Sequence, residues 1–369
     1  MNKSFVLILW LTILLGSCKN TQSNQNEQIN SQEKAGSNLV YESEKHFVNV
    51  KQLTFGGNNA EAYWSFDGQA LCFQSDYKEW GAECDQIYHF RPFEDDLKQA
   101  KPKHISIKKG RTTCSYFLPG DSLILFASTQ GAGEMCPHVA PRKPGGKYTW
   151  PLFPDYEIYI SNLQGTIKKQ LTQNQSYDAE ATVSPRGDKI VFTSDRSGDL
   201  ELYTMDINGN NVKQITNELG YDGGAFFSPD GSKIIFRASR PKTDSDKLEY
   251  KELLSQGLVQ PTNMELFVCN ADGSELKQLT SLGKANWAPF FHPSGQKVIF
   301  ASNHAGSKGF QFNLYMINLD GSGLEKITAD SSFDAFPVFS PNGKYLVFSS
   351  NRNNGGTHDT NLFLAEWKD

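Results

Sequence analysis

Six side chains at matching places along the chain could bind a ligand through oxygen: Asn59, Thr112, Asp178, Asp222, Asn286 and Asp334. Each stands six residues before the residue that opens a turn, namely Ser65, Leu118, Ser184, Ser228, His292 and Ser340. Glu61, Arg111 and Glu180 lie beside them, with the aromatics Tyr177, Tyr221, Trp287 and Phe333. Oxygen-rich rings hold hard cations or polar ligands, and aromatic faces stack on sugars or peptides. The plainer reading gives Asp and Asn at such places a backbone-capping role, with Arg196, Arg240 and Arg352 as ion-pair partners. Arg111, Glu180 and Trp287 break the repetition, so they inform more than the repeated Asp does. His138, His304 and His358 are the candidate metal ligands among the histidines, although solvated loop histidines are far commoner than ligands. No Gly-x-Ser-x-Gly elbow, His-Glu-x-x-His, Walker-type loop or Gly-x-Gly-x-x-Gly occurs, which makes catalysis the lesser reading.

The elements that position these residues come from internal repetition. Lys51-Gln52-Leu53-Thr54 returns as Lys169-Gln170-Leu171-Thr172, Lys213-Gln214-Ile215-Thr216 and Lys277-Gln278-Leu279-Thr280. Lys326-Ile327-Thr328 is a shorter form, and His104-Ile105-Ser106 is the degenerate one. After each follows a turn such as Ser228-Pro229-Asp230-Gly231, then an apolar run such as Ile234-Ile235-Phe236, then a strand carrying Leu266-Phe267 or its equivalent. Four short strands per unit at roughly 40–50 residues is the period of propeller blades. The expected fold is all-β: a six-bladed β-propeller of four-stranded antiparallel blades over residues 46–369. The strand around Phe47–Leu53 precedes the first unit and the last unit lacks its final strand. The N-terminal strand is therefore expected to pair with the last blade, which removes two exposed edges.

The Gln-Leu-Thr, Ser-Pro-Asp-Gly and Leu-Tyr pattern resembles the repeat of the TolB-type β-propeller family over nearly all of residues 46–369. The chain is expected to depart from the family's periplasmic TolB pattern in two ways, leaving no room for the α/β domain that precedes that propeller and carrying a lipobox-like N-terminus instead of a plain signal. The resemblance is specific for the fold and weak for function, since members serve as scaffolds, binding domains and adjuncts to peptidases. Propellers similar to oligogalacturonate lyase gather histidines over the channel. That resemblance supplies the alternative of a metal-assisted polysaccharide lyase or hydrolase using His138, His304 and His358.

In such a ring the six repeated residues, with Glu61, Arg111, Glu180 and Trp287, are expected around one mouth of the central channel. The loops joining strands B and C open on the same face. Blade two carries a long B–C insert between Phe126 and Tyr156, and blade four another between Arg240 and Glu265, where Leu248 to Leu258 is expected to be helical. Smaller inserts fall at Asn303–Gln311 and Asn353–Asp359. Long loops outside the repeat's own core are commonly functional, which marks this as the working face. Cys84, Cys114 and Cys136 lie toward that face, and a disulfide among them, most simply Cys84–Cys136, would staple the blade-two insert. Cys72 and Cys269 read as core residues.

Residues 1–17 read as a signal peptide, with Lys3 ahead of an apolar run, Phe5 to Leu15, too short to span a bilayer. Leu15-Gly16-Ser17-Cys18 resembles the lipobox of bacterial lipoproteins, which implies lipidation of Cys18. Residues 18–45 are rich in Asn, Gln, Ser and Glu and are expected to form a disordered tether. With Lys+Arg 36 against Asp+Glu 41, no basic surface for nucleic acid is indicated. The expected protein is a non-enzymatic, monomeric lipoprotein of the bacterial envelope. It is anchored to the outer membrane by lipid alone and faces the periplasm or the cell surface. Its partner is an envelope protein, peptide or glycan. No cofactor is expected beyond a structural cation that the channel could hold.

Overall fold

The Thr or Ser that ends each Gln-Leu-Thr motif makes the same bond in all six blades. Its hydroxyl accepts the main-chain N–H at the start of strand C: Thr172 from Ile158, Thr216 from Leu202, Thr280 from Leu266 and Thr328 from Leu314, each at 2.9 Å. In the degenerate unit Ser106 accepts from Ile87 at 3.1 Å. The motif glutamines Gln52, Gln214 and Gln278 donate to the carbonyl of their own motif Thr. Each such bond contributes about 1 kcal/mol, and an unmet buried N–H would cost more.

The structure, a computed structural model, describes residues 39–139, 145–329, 331 and 333–369. These residues contain six four-stranded antiparallel sheets, the blades of a propeller. Innermost strands A are Asn59–Trp64, Thr112–Phe117, Asp178–Val183, Asp222–Phe227, Asn286–Phe291 and Asp334–Phe339. In the sixth blade, strand D is the N-terminal Phe47–Gln52, paired antiparallel with Asn361–Trp367. Thr54 accepts from Leu362 N–H at 2.8 Å, so ring closure reuses the bond that ends every other blade.

Strand B of each blade carries one fully buried phenylalanine: Phe73, Phe126, Phe192, Phe236, Phe300 and Phe348. Each packs against an aromatic of strand C (Tyr88, Tyr159, Tyr203, Phe267, Tyr315 and Phe363) at centroid distances of 5.8–6.3 Å. Burying one such ring stabilises by roughly 1.5–3 kcal/mol. On the face of the A–B turns, the proline of one blade lies against the turn glycine of the next. A Cβ on Gly187 would come within 2.1 Å of Pro119, and one on Gly343 within 3.2 Å of Pro293. Gly187 also has a φ of +71°, so a side chain there meets both a clash and backbone strain.

The folded unit begins at Leu39 rather than at His46. Glu44, placed in the tether by composition, is buried, and it accepts from Arg352 Nη2 at 3.0 Å and from Ala329 N–H at 3.1 Å. One buried carboxylate with a buried guanidinium partner is enough to dock a polar segment that composition alone marks as disordered. The signal peptide, Cys18 and the rest of the tether lie outside the described residues. No helix among the described residues is long and apolar enough to cross a membrane.

Candidate functional site

The six repeated residues open strand A in each blade, and all six are fully buried. Arg196 Nη2 donates to both oxygens of Asp178 at 2.8 Å, Arg240 pairs with Asp222, and Arg352 Nη2 reaches Asp334 at 3.2 Å. Asn59 donates to the carbonyls of Gly56 and Thr360, Asn286 to those of Met264 and Gly283, and Thr112 to that of Asp85. These side chains cap loops at the blade entries, and none is exposed on an open channel mouth. Trp287 is also buried: its indole N–H donates to Pro261 O at 2.8 Å and its ring stacks on Phe312 at 4.3 Å. Arg111 is ion-paired to Asp85 and sits 5.9 Å from the Phe153 ring.

Two residues further along each strand A, the chain makes a bulge. The A–B ladder skips register at this point in every blade. The bulge residues are Glu61, Cys114, Glu180, Gly224, Ala288 and Phe336, with φ from +48° to +61°. Five of the six are not glycine, and a left-handed backbone costs such residues of order 1 kcal/mol or more. Bulges re-aim side chains, and these six turn toward one another to line a cavity of about 40 Å³ at the channel waist.

The waist is polar on one side. Glu180 accepts from Arg237, from the Tyr221 hydroxyl at 2.7 Å, from Thr193 at 2.8 Å and from Gly224 N–H at 2.9 Å. Burial pushes the Glu180 carboxyl up, but the Arg237 charge and these hydrogen bonds outweigh it and hold it below the ordinary range. Arg237 comes from strand B of blade four and occupies the space that a side chain at position 224 would fill. A Cβ on Gly224 would sit 1.7 Å from its Nη1. Glu61 has no such support. Its Oε2 is buried without a hydrogen-bond partner. Burial pushes its carboxyl up to about 7; the Cys114 hydrogen bond and the Arg237 charge oppose this, and the Glu180 charge adds to it. Burial also pushes the Cys114 thiol well above its usual value, so it is a poor nucleophile.

Below the waist, Tyr63, Tyr116, Phe226 and Phe290 form an aromatic tier. Tyr63 of blade one and Phe226 of blade four lie 5.7 Å apart across the channel. Above it, two described parts of the blade-two insert are tied to other blades. Cys136 is disulfide-bonded to Cys84 in the B–C loop of blade one. Trp150–Pro151 pairs with Leu258–Val259 of the blade-four insert as a two-stranded ribbon. Trp150 thereby stands 5.5 Å from the Arg237 guanidinium and 5.2 Å from the Trp287 ring. The helix of the blade-four insert, α1, runs Asp244–Ser255, earlier than the expected Leu248–Leu258. A reciprocal cap between Thr243 and Asp246 starts it, and Leu258 belongs to the ribbon. Between α1 and blade four lies a polar cleft of about 450 Å³.

His138 and His358 are exposed, and His304 packs on Tyr315 at 4.6 Å with Nδ1 2.9 Å from the Ser302 hydroxyl. Among the described residues, no three His, Cys, Asp or Glu side chains group to hold a metal ion. His138, His304 and His358 therefore belong to no such group among the described residues.

The TolB beta propeller domain family matches residues 154–257 and 243–358. Together these spans cover more than half of the 369-residue chain. The chain belongs to the TolB beta propeller domain family. No curated protein matches it. Among solved structures, this TolB-type propeller is similar to the putative TolB of Agrobacterium tumefaciens, at 20% identity and a TM-score of 0.52, covering 85% of this chain and 91% of that one. TolB of Acinetobacter baumannii gives 20% identity and a TM-score of 0.51, with 75% of this chain and 56% of that chain covered. At these identities the likeness speaks for the fold. An oligogalacturonate lyase of Vibrio parahaemolyticus follows at 12% identity and a TM-score of 0.49, covering 89% and 95%, a likeness that carries no weight for activity.

Proposed function

We propose that this TolB-type propeller is a non-enzymatic scaffold of the bacterial envelope that takes a protein or peptide partner on its insert-bearing face. The observation that carries the reading is where apolar side chains stand in water. Among the described residues, the three most exposed large apolar side chains are Met135 (77%), Leu248 (69%) and Phe310 (62%), one in each of the blade-two, blade-four and blade-five inserts. Val139 and Tyr148 add to the same set. Apolar groups held out on inserts, away from any repeat position, mark contact surfaces. Val212, Leu276 and Leu324 recur at one repeat position and are less exposed than Met135, Leu248 and Phe310, as are Val48 and Phe93, which lie off the inserts.

Lipidation of Cys18 and outer-membrane anchoring belong to this proposal and rest on the sequence of residues 1–18. Two measurements test it. Immobilised protein should retain a defined envelope protein from a membrane extract, and the triple variant Met135→Ser, Leu248→Ser, Phe310→Ser should retain at least tenfold less while melting normally. Equal capture by both proteins would sink the reading. In cells, Cys18→Ser should abolish palmitate labelling and release the protein from the membrane fraction.

A further inference from the structure

The cleft of about 450 Å³ between α1 and blade four shares no lining residue with the channel waist, and it has the size of a small-ligand site. Its α1 wall is held in place from two sides. The Tyr250 hydroxyl donates to Asp199 of blade three, and Glu249 is ion-paired to Lys147 of the blade-two insert. The charges that line the cleft are engaged by the protein itself. Arg240 pairs with Asp222, and with Glu218 at 3.1 Å. Glu265 accepts from the Thr280 hydroxyl and from Gly283 N–H, each at 2.6 Å, and from Asn286 at 3.1 Å. Asp246 caps α1 by accepting from Thr243 N–H at 3.1 Å. Among the described lining charges only Lys242 pairs with no other residue, and it is exposed.

The groups left to a ligand are neutral. The hydroxyls of Ser239, Thr262 and Ser281 each accept one bond, from Tyr221 N–H, Gln260 and Gln278, at 2.7–3.1 Å. A proton therefore remains on each to donate. The side-chain carbonyls of Gln260 and Gln278 and the whole amide of Asn263 bond to no described residue. Pro241 and Leu253 add apolar wall.

We propose that this cleft is a carbohydrate site that takes a short, uncharged oligosaccharide. Each sugar hydroxyl both donates and accepts, which matches free hydroxyl protons set beside free amide oxygens. The C–H faces of a sugar ring fit the walls made by Pro241 and Leu253. An acidic ligand would find one exposed ammonium, and a peptide terminus would find no carboxylate that is not already engaged. Drying such charges without a matched partner costs far more than drying neutral hydroxyls that are hydrogen-bonded. The site is separate from the partner surface, because Leu248, the exposed apolar residue of α1, does not line the cleft.

The test is calorimetric titration of the full chain with the neutral trisaccharides of glucose, mannose, xylose and N-acetylglucosamine, and with trigalacturonate and tri-alanine for comparison. At least one neutral trisaccharide should bind with a Kd of about 1 mM or tighter, and more tightly than either charged compound. The double variant Gln260→Ala, Asn263→Ala should weaken that binding about tenfold. Absence of binding by all four sugars overturns the proposal, as does preference for trigalacturonate or tri-alanine, or an unchanged affinity in the variant. If the variant folds poorly, NMR of the unsubstituted chain decides. The side-chain amide signals of Gln260, Asn263 and Gln278 must shift when the sugar is added, and unmoved signals overturn the site.

Discussion

Strand A holds two rings of residues, one at its first position and one at its third, and they behave differently. The first-position ring obeys the repeat. Its members are buried, capped and, in three blades, neutralised by an arginine from their own unit. The third-position ring ignores the repeat: Glu, Cys, Glu, Gly, Ala and Phe follow one another around the waist. Its backbone is nevertheless repeated faithfully, down to a left-handed φ in every blade. Recurrence of a side chain thus marks architecture here, whereas recurrence of a backbone shape under changing side chains marks a place where chemistry is free to vary.

The sharpest way to break this contrast is Arg352→Ala. It leaves the carboxylates of Glu44 and Asp334 buried without their cation, and the expected loss is about 3–5 kcal/mol in urea unfolding. A loss below 1 kcal/mol would make the first ring something other than architecture. Glu61→Gln should act in the opposite sense. The folded state holds the Glu61 proton at about 7 against an ordinary 4.5, so stability present at low pH is lost as pH rises through 7. The variant should gain up to about 3 kcal/mol at pH 8 and almost nothing at pH 4, read from denaturation curves at the two pH values. Thr54→Val and Thr216→Val should each cost about 1–2 kcal/mol, by removing the acceptor of a strand C N–H. Equal losses mean that the closing blade is held like its neighbours, and a much larger loss for Thr54 would show that closure dominates. Smallest of all, the single serine substitutions at Met135, Leu248 and Phe310 should change the unfolding free energy by less than about 0.5 kcal/mol each, read from urea denaturation.

The ring, its blade count and its closure were legible because each rests on residues that recur: Thr at the start of a cap, Gly after a tight turn, Phe in strand B. The arginine partners of Asp178, Asp222 and Asp334 were legible for the same reason. The channel waist was not, because a bulge inverts the inward and outward sense of a strand without changing any residue type. Gly223-Gly224 inside a strand was the one signal of it, since glycine there often marks a bulge or a close approach. The ribbon joining Trp150 to Val259 was equally hidden, because two-residue strands in separate inserts leave no periodic pattern. Docking of Glu44 was missed because a partner some 308 residues away lends no local signal.

That distance also governs how the molecule can be made. Among the propeller's strands, the one that completes the sixth blade is made first and its partner, Asn361–Trp367, last. In the unfolded chain, joining segments separated by 308 residues costs about 5 kcal/mol from the logarithmic length term alone, a cost that assembly of the intervening blades removes. Five blades can therefore assemble from neighbouring hairpins while the sixth stays open. Closure then comes last, and until it happens the two edges of the open ring remain available to other chains.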